Sequence, residues 1–347
     1  MTFIRNLSIV SIHAEGEVGD VVVGGVLDPP GCKTMYEKLV HFRDKDDSIR
    51  QIVLNEPRGR SSMNANMILP PCNPEADAGF IIMESEEYPP MSGSNTICVT
   101  TVLLETGMLP MHEPITQVNL DSAAGLIKVS AECEAGKCKA VTFTNVPSIV
   151  YKLDLSVHVP GLGEVKVDIA WGGMMYALVD AGSVGLAIDN AHGPQLVDIG
   201  ERIKRAVQAA YTPVHPENAD IRGVSILEFT HPLTTTSGGD KTATNTVVVS
   251  PGRFDRSACG SGTCARMAVM HARGQLRVGE KFAHRSIIGS VFDGWIVGTA
   301  KVGAYEAVVS KIRGRAWITG HRTALVDSSD PWPIGFRVGD QWLVGKD

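Results

Sequence analysis

Two short stretches of the chain place a side chain that can carry a proton directly before a Gly-Ser pair. The first reads SGS at 92–94 and the second reads CGS at 259–261, and each opens an apolar stretch. If each stretch is a helix, its first N–H groups lack partners within the helix and lie at the positive end of the helix dipole, where they bind carboxylates. The sequence therefore predicts two carboxylate-binding turns, one beside the hydroxyl of Ser92 and one beside the thiol of Cys259.

The two stretches belong to longer segments that match each other. MSGSNTICVTTVLLETGML (91–109) aligns with ACGSGTCARMAVMHARGQL (258–276), 167 positions later. The identical residues are Gly93 and Gly260, Ser94 and Ser261, Thr96 and Thr263, Val102 and Val269, Gly107 and Gly274, and Leu109 and Leu276. We interpret the match as a duplication in which each half presents one loop and one helix. The coinciding terminal glycines disfavour chance similarity between two Gly-rich loops.

If the two halves face each other, they suit one reaction in particular. A small carboxylate would be held by the Gly-Ser pairs at 93–94 and 260–261, with its α-carbon between the hydroxyl of Ser92 and the thiol of Cys259. That arrangement favours removal of a proton next to a carboxylate, and no metal or organic cofactor is expected. The field of the helix N-terminus lowers a thiol pKa, so we expect Cys259 to carry appreciable thiolate.

The elements that must hold these turns are mostly strands. Alternating apolar residues predict early strands at Ile4–Ile12, Asp20–Leu27, Gln51–Leu54 and Gly79–Glu84. Helices are predicted at Thr34–Arg43, from an N-cap at Asn95 to the terminator Gly107, at Leu196–Ala210 and at about Thr263–Arg273. Many strands with few long helices, in no regular alternation, indicate an α+β fold.

The length of the chain favours two domains. Its 347 residues exceed what one compact core usually holds. Together with the repeat, this predicts a first half at 1–148 that carries the SGS turn and a second half at 149–334 that carries the CGS turn. The prediction leaves open whether a C-terminal strand at about 335–347 returns to the first half.

The composition excludes several classes of protein. An apolar fraction of 44% excludes disorder, and Lys+Arg at 32 against Asp+Glu at 38 gives no basic surface for a nucleic acid. No signal peptide or membrane span is recognised, so we expect a cytoplasmic protein without a membrane partner. Seven cysteines, an odd number, argue against a disulfide framework, and their spacings do not fit a metal site.

The chain resembles the proline racemase family over nearly its whole length. DRSACGSGTCARMA (255–268) is similar to the DRSPCGTGT-type motif of that family, and MSGSNT (91–96) is similar to its MCGHG/N loop. Further blocks that look like the family are EPRGR (56–60), FTNVPSIV (143–150), VDIAWGGMMYALVDA (167–181) and SIIGSVFDG (286–294). Diaminopimelate epimerase is a more distant relative that shares an ACGSG-like loop.

The resemblance implies a fold and a set of site residues. The fold is that of diaminopimelate epimerase: two pseudo-symmetric α/β domains, each a curved sheet around a central helix, with the active site in a cleft. Two cysteines act as acid and base in this family, and they map onto Ser92 and Cys259. The carboxylate cradle maps onto Gly93, Ser94, Gly260 and Ser261. Asp255 maps to a contact with the ring nitrogen of a proline-like substrate, and His231 fits a substrate-contacting histidine by spacing alone.

The serine at position 92 changes the expected reaction. Racemisation needs a base on each face of the α-carbon, and a serine hydroxyl is a poor proton carrier compared with a thiol. A site with one thiol copes better with elimination, in which the C3 hydroxyl leaves after the α-proton is removed, and Ser92 donates to the departing hydroxide or the enediolate. The sequence favours trans-3-hydroxy-L-proline dehydratase, giving Δ1-pyrroline-2-carboxylate, with 4-hydroxyproline 2-epimerase as a second activity. Family dehydratases more often keep the first cysteine and replace the second with threonine.

Two alternatives stay open. The main activity can instead be 4-hydroxyproline 2-epimerisation or proline racemisation, with proline or hydroxyproline as the small-molecule substrate. From a different class, the chain can be a non-catalytic binding protein for small amino acids, although the lack of a recognised export signal weighs against a periplasmic carrier. The resemblance to the family implies a monomer or homodimer.

Overall fold

The computed structural model describes residues 3–341. Contacts divide the chain into two compact units. Unit 1 comprises the residues up to Phe143 together with those from Gly314 onward, and unit 2 comprises Thr144–Arg313. None of the helices among the described residues is long and apolar enough to cross a bilayer.

Five α-helices and twenty strands make up the described chain. The helices are α1 (Met35–Asp44), α2 (Ser48–Leu54), α3 (Gly93–Glu105), α4 (Gly193–Ala210) and α5 (Gly260–Ala272). The strands of unit 1 are β1 (Phe3–Ala14), β2 (Glu17–Gly24), β3 (Asn64–Leu69), β4 (Ala78–Met83), β5 (Ile115–Ser122), β6 (Gly125–Glu134), β7 (Lys137–Thr144) and, from the C-terminal part, β20 (Ala316–Asp327). Those of unit 2 are β8 (Ser148–Val159), β9 (Gly163–Trp171), β10 (Met175–Asp180), β11 (Val214–His215), β12 (Asn218–Arg222), β13 (Ile226–Thr230), β14 (Thr234–Thr235), β15 (Lys241–Val249), β16 (Arg253–Asp255), β17 (Lys281–Arg285), β18 (Val291–Val302) and β19 (Tyr305–Gly314).

The sheet of unit 1 runs in the order β20-β1-β2-β3-β4-β5-β6-β7. Its pairings are antiparallel, except that β2 pairs with β3, and β4 with β5, in parallel. Helices α1 and α2 pack on one face of this sheet over a core that includes Leu39, Ile52 and Met67. On the other face, α3 contacts β1, β2, β3, β6 and β20, so the sheet curves around it.

The sheet of unit 2 runs in the order β8-β9-β10-β13-β15-β17-β18-β19. Its pairings follow the same pattern, with the parallel pairs at β10–β13 and β15–β17. A further antiparallel pairing of β19 with β8 closes the order into a ring. Helix α5 contacts β8, β9, β10 and β18.

Strand by strand, the two units are equivalent. Each is a row of eight strands with the same succession of parallel and antiparallel pairs, and the central helix follows the fifth strand of the row in both. The two differ in chain order, because the first strand of the row is β8 in unit 2 but the last strand of the chain, β20, in unit 1. The predicted α+β fold with two pseudo-symmetric halves, each a curved sheet around a central helix, is confirmed.

The unit boundaries differ from those expected at 1–148 and 149–334, because the second unit ends at Arg313 and the chain after it, which includes β20, belongs to unit 1. β20 pairs along most of its length with β1 and so belongs to unit 1. Of the strand considered at 335–347, residues 342–347 lie outside the described residues, and 335–341 hold one isolated bridge, between Glu56 and Phe336.

Two helices of the repeat begin one turn earlier than predicted. α3 is capped by Ser92 and α5 by Cys259, whereas the prediction placed Asn95 at the cap of α3 and Thr263 near the start of α5. Glycine weakens a helix through its backbone freedom, which is why the Gly-rich turns read as loops. Burial of both helices among the strands overrides this preference, since every residue from 93 to 104 is buried.

One predicted strand is also wrong. The run at Gln51–Leu54 belongs to α2, because Ile49, Ile52 and Val53 recur at helical spacing and bury one face of that helix against the sheet. A short apolar run does not distinguish a strand from a buried helix. The helices predicted at Thr34–Arg43 and Leu196–Ala210 are confirmed as α1 and α4.

Candidate active site

Ser92 caps α3 and is held by both its backbone and its side chain. Its carbonyl oxygen accepts hydrogen bonds from the N–H of Thr96 at 3.0 Å and from the hydroxyl of Thr96 at 2.8 Å. Its Oγ accepts from Nδ2 of Asn95 at 2.9 Å and lies 3.4 Å from Oγ of Ser94. The hydroxyl of Ser92 therefore receives an amide donor, which leaves its own proton available to be donated.

The orientation of the Asn95 side-chain amide is set by its hydrogen bond with Asn66. Nδ2 of Asn66, on β3, donates to the carbonyl of Gly19 at 3.1 Å and to Oδ1 of Asn95 at 2.8 Å. A carbonyl can only accept, so the amide nitrogen of Asn66 must face it, and Asn95 must then present its oxygen to Asn66 and its nitrogen to Ser92. Asn66 and Asn95, both with no exposed surface, form a hydrogen-bonded chain that we call the amide relay.

Gly19 makes room for this chain. A Cβ at Gly19 would stand 2.7 Å from Oδ1 of Asn95, closer than real side chains approach. A residue larger than glycine would therefore displace Asn95 from Ser92.

Cys259 caps α5 with an unusual backbone. Its φ is +58°, in the left-handed region that non-glycine residues rarely adopt. Its N–H donates to Oγ of Ser257 at 3.0 Å, and Ser257 in turn donates from both N–H and hydroxyl to Oδ1 of Asp255, each at 2.8 Å. The turn before α5 therefore fixes the strained cap and ties Asp255 to it.

The thiol of Cys259 has a tyrosine partner that sequence reasoning missed. The hydroxyl of Tyr176, on β10, lies 3.2 Å from Sγ of Cys259 and 2.6 Å from Oγ of Ser261. Tyr176 comes from the AWGGMMYALVDA block, whose resemblance to the family was noted without assigning any residue a role. Its ring is fully buried and its hydroxyl contacts both side chains, so Tyr176 holds the thiol of Cys259 and the hydroxyl of Ser261 in place.

The same block supplies a close contact with α5. A Cβ at Gly172 would stand 2.1 Å from the carbonyl oxygen of Ser261, so only glycine allows the first turn of α5 to approach this strand end. Nδ2 of Asn145 donates to the carbonyl of Gly172 at 2.7 Å and fixes it. The glycine at position 172 of the AWGG sequence is thus explained by the packing of the helix that Cys259 caps.

The environment of Cys259 changes the expected ionisation. Burial raises the pKa of the Cys259 thiol well above its ordinary value, and the negative charge of Asp255 raises it further, while Tyr176 and the N–H of Gly262 act in the opposite direction. The expectation of appreciable thiolate is therefore wrong for the unliganded site, because desolvation and a nearby carboxylate outweigh the helix terminus. Burial also raises the pKa of Asp255.

A buried carboxyl group lies behind Cys259. Glu228, on β13, has no exposed surface, and its Oε1 accepts from Nδ2 of Asn245 at 3.2 Å. A Cβ at Gly262 would stand 2.9 Å from Oε2 of Glu228 and 3.2 Å from Sγ of Cys259, so the carboxyl and the thiol both pack closely against this glycine. Burial raises the pKa of Glu228 to about 8.

Arg266 and His284 form a hydrogen-bonded chain that reaches Thr263 in the first turn of α5. Nη1 of Arg266 donates to Nε2 of His284 at 3.3 Å, so Nδ1 of His284 carries the proton and donates to Thr263 at 2.8 Å. Burial, and then the charge of Arg266, lower the pKa of His284 well below its ordinary value, which keeps the ring neutral. The hydroxyl of Thr263 donates to the carbonyl of Cys259 at 2.7 Å, as Thr96 does to Ser92 in unit 1.

The structure brings together most of the predicted residues of each half, but not His231. Gly93 and Ser94 form the first turn of α3, Gly260 and Ser261 that of α5, and Asp255 lies beside Cys259. Nε2 of His231 accepts from the N–H of Ile188 at 3.2 Å. His231 also lines a cavity with Met270, Arg273 and Gln275, at the end of α5 opposite to Cys259.

The fold and the two capped helices define a class of racemases and epimerases, as comparison with known proteins shows. A hydroxyproline epimerase from Agrobacterium vitis, solved with bound trans-4-hydroxy-L-proline, is 39% identical, with a TM-score of 0.92 over 99% of this chain and 97% of that one. A probable proline racemase from Agrobacterium radiobacter, solved with bound carbonate, is 39% identical, with a TM-score of 0.91 over 97% of this chain and 98% of that one. A phenazine biosynthesis protein from Bacillus anthracis shares the fold at 10% identity, with a TM-score of 0.58 over 93% of this chain and 100% of that one.

The family model described as proline racemase matches residues 9–337. The chain belongs to the proline racemase family and is an enzyme of that family. The resemblance inferred from the loop motifs is confirmed.

Proposed function

We propose that the chain is a hydroxyproline-acting enzyme whose main reaction is dehydration of trans-3-hydroxy-L-proline to Δ1-pyrroline-2-carboxylate. The observation that carries this proposal is the pairing of one thiol, Cys259, with one serine hydroxyl, Ser92, at equivalent helix caps. The proposal requires that the Gly-Ser turns after them, at 93–94 and 260–261, bind the substrate carboxylate and that the two caps address opposite faces of its α-carbon.

Substrate binding makes the thiol a base. The charge of Asp255 contributes to the raised pKa of Cys259, and a ring ammonium seated beside Asp255 cancels that charge. Cancelling that charge removes one cause of the raised pKa, although burial remains the larger cause, so substrate binding shifts Cys259 toward the thiolate. Asp255 thus binds the ring nitrogen and also controls when Cys259 deprotonates.

The stereochemistry of the substrate suits a single thiol. In the trans isomer the C3 hydroxyl lies opposite the carboxylate, so it shares a face of the ring with the α-hydrogen. Sγ of Cys259 takes the α-proton, the C3–O bond breaks, and the thiol returns the proton to the departing hydroxide as water. The resulting enamine tautomerises to the pyrroline, and the thiolate is restored without a second base.

Ser92 stabilises the carbanion from the other face. Its hydroxyl, which accepts from Asn95, keeps a proton to donate toward the enediolate. The N–H groups at the start of both helices bind the carboxylate oxygens, where negative charge develops.

A second function is favoured by a specific observation. The Agrobacterium vitis protein, at 39% identity, was solved with trans-4-hydroxy-L-proline and is described as a hydroxyproline epimerase. In a 4-hydroxyproline substrate the hydroxyl is not on the carbon next to Cα, so elimination is not available. Abstraction by Cys259 and protonation from the Ser92 face then gives 2-epimerisation.

Proton NMR in D₂O distinguishes these activities. We expect trans-3-hydroxy-L-proline to yield the pyrroline, which o-aminobenzaldehyde detects by colour, and trans-4-hydroxy-L-proline to exchange its α-proton and epimerise more slowly. Proline is expected to exchange slowest. Epimerisation of 4-hydroxyproline with no pyrroline from the 3-hydroxy isomer would reject the dehydratase proposal, and saturable binding without exchange or turnover of any of the three would indicate the binding protein.

A further inference from the structure

Because the two units are equivalent, each residue near one cap can be compared with its counterpart near the other, and two such pairs differ in chemistry. Ser92 is equivalent to Cys259 and Asn95 to Gly262, by the spacing of the repeat. Asn66 and Glu228 are each the third residue of equivalent strands, β3 and β13. The hydroxyl of Ser92 is supported by the amide relay, whereas the thiol of Cys259 has a buried carboxyl group packed against the same glycine, Gly262.

We propose that Asn95 and Glu228 are positioning residues with opposite effects on the two caps. Asn95 makes Ser92 a better proton donor, and Glu228 makes Cys259 a better proton acceptor. This inference rests on the proposed function and assigns a direction to its proton transfers. Asn95 bonds to the hydroxyl of Ser92, and Glu228 packs against the same glycine as the thiol of Cys259, so both residues act through the caps.

The amide relay makes Ser92 a donor. Each amide in the chain from Asn66 through Asn95 presents its N–H groups toward the next acceptor, and successive hydrogen bonds of this kind polarise one another. The chain ends on Oγ of Ser92 at 2.9 Å, where it stabilises negative charge on the oxygen. The α3 N-terminus acts in the same sense.

Glu228 acts in the opposite sense on Cys259. Its Oε2 has no hydrogen-bond partner among the described residues and, like the thiol, packs close to Gly262. An ionised carboxylate there disfavours negative charge on sulfur and raises the pKa of Cys259, so the thiolate, once formed, accepts a proton more readily. Gly262 is required for this arrangement, because the Cβ of an asparagine there, as in unit 1, would stand only 2.9 Å from Oε2 of Glu228.

Thiol titration tests the first half of the inference without any substrate. In the Ser92→Cys, Cys259→Ser background, the alkylation rate of the new thiol against pH, read by peptide mass spectrometry, gives its pKa. Asn95→Gly, which copies the equivalent Gly262, is expected to raise that pKa by roughly one unit and slow alkylation about tenfold near neutral pH. Asn66→Leu, which breaks the relay one step further away, is expected to shift it in the same direction.

A matched control is Thr100→Val. Thr100 is buried in the same helix, but its hydroxyl bonds to the carbonyl of Thr96. We expect this variant to leave the thiol pKa unchanged. An unchanged or lowered pKa in both relay variants would overturn the role of Asn95.

The second half is tested on Cys259 itself. Glu228→Gln keeps the shape of the side chain and is expected to lower the thiol pKa by roughly one unit, seen as faster alkylation of Cys259 above pH 8, where the wild-type carboxyl is charged. An unchanged or raised pKa would overturn the role of Glu228. These titrations use no substrate, so their failure would not count against the dehydratase proposal. If the NMR assay rejected that proposal, the thiol pKa values would still test the roles of Asn95 and Glu228.

Discussion

At the scale of single residues, the site depends on how a thiol and a hydroxyl are held rather than on their identity alone. Cys259 adopts a left-handed backbone, contacts the hydroxyl of Tyr176 and lies among carboxyl groups that oppose its ionisation. Ser92 has an ordinary extended backbone and an amide donor. The motif comparison predicted Ser92 and Cys259 as the proton-carrying residues, but their partners Tyr176 and Asn66 come from strands whose neighbours no local sequence pattern specifies.

Removing the tyrosine hydroxyl tests its support of the thiol. Its hydrogen bond lowers the pKa of Cys259, so Tyr176→Phe is expected to raise that pKa and slow alkylation of Cys259 at a fixed neutral pH several-fold. In both proteins alkylation should accelerate as pH rises, because the thiolate is the nucleophile. Tyr151→Phe is the matched control, since Tyr151 bonds instead to the carbonyl of Val214. Equal alkylation profiles for Tyr176→Phe and the wild type would contradict the role of Tyr176.

A second thiol at the first cap should change the reaction. Ser92→Cys supplies a second titratable thiol, so we expect faster α-proton exchange and faster epimerisation of 4-hydroxyproline. Proton NMR in D₂O measures both rates. If exchange in this variant did not rise above that of the wild type, the argument that the serine limits epimerisation would be wrong.

The buried carboxyl of Glu228 gives folding stability a defined pH dependence. Its pKa rises from 4.5 to about 8 on folding, so the folded state binds the proton more tightly than the unfolded state. The contribution to the free energy of unfolding is fully present below pH 4.5 and is lost as pH rises toward 8. Glu228→Gln removes this loss, so its Tm relative to wild type should increase between pH 5 and 8. A Tm difference that does not vary with pH would refute the assignment.

At the scale of elements, packing decides where the two critical helices begin. Composition suggests loops at 92–95 and 259–263, yet both are helical because the strands around them bury the first turn. The terminators were predictable, since Gly107 and Gly274 both adopt the left-handed conformation that ends a helix. The N-caps were not, because burial by distant strands overrides local preference.

The close contact of Gly172 with α5 can be tested by adding a methyl group at that position. A methyl group there would force the first turn of α5 away from β9, so Gly172→Ala is expected to destabilise the protein by about 1–3 kcal/mol and to reduce turnover. Chemical denaturation measures the first effect. Gly298→Ala is the control, since a Cβ there meets nothing within 4 Å. Equal stability of the two variants would mean that the close approach is not required.

At the scale of the whole molecule, the chain repeats one arrangement of eight strands and a central helix with a different starting strand. Unit 2 takes its first strand, β8, from its own beginning, whereas unit 1 receives the equivalent strand, β20, from the end of the chain. The repeat predicted two halves, but strand order depends on pairing between residues that are far apart in sequence. That is why the sequence did not establish which half takes the C-terminal strand.

Removing β20 should therefore affect unit 1 selectively. A chain ending at Arg313 leaves β1 without its antiparallel partner, so we expect hydrogen exchange to accelerate in unit 1, including α3, while α5 stays protected. Comparison with the full chain by mass spectrometry measures this. Equal protection of α3 in both chains would show that β20 is not required for unit 1.

The most direct test of the central claim compares the two caps in one assay. With trans-3-hydroxy-L-proline in D₂O, Cys259→Ser should lose pyrroline formation by about 10³-fold, whereas Ser92→Ala should retain a measurable part of it, because one thiol both removes and returns the proton. Cys264→Ala, in the same helix as Cys259, should retain turnover per folded protein. Pyrroline formation by Cys259→Ser at a rate near that of the wild type would contradict the account.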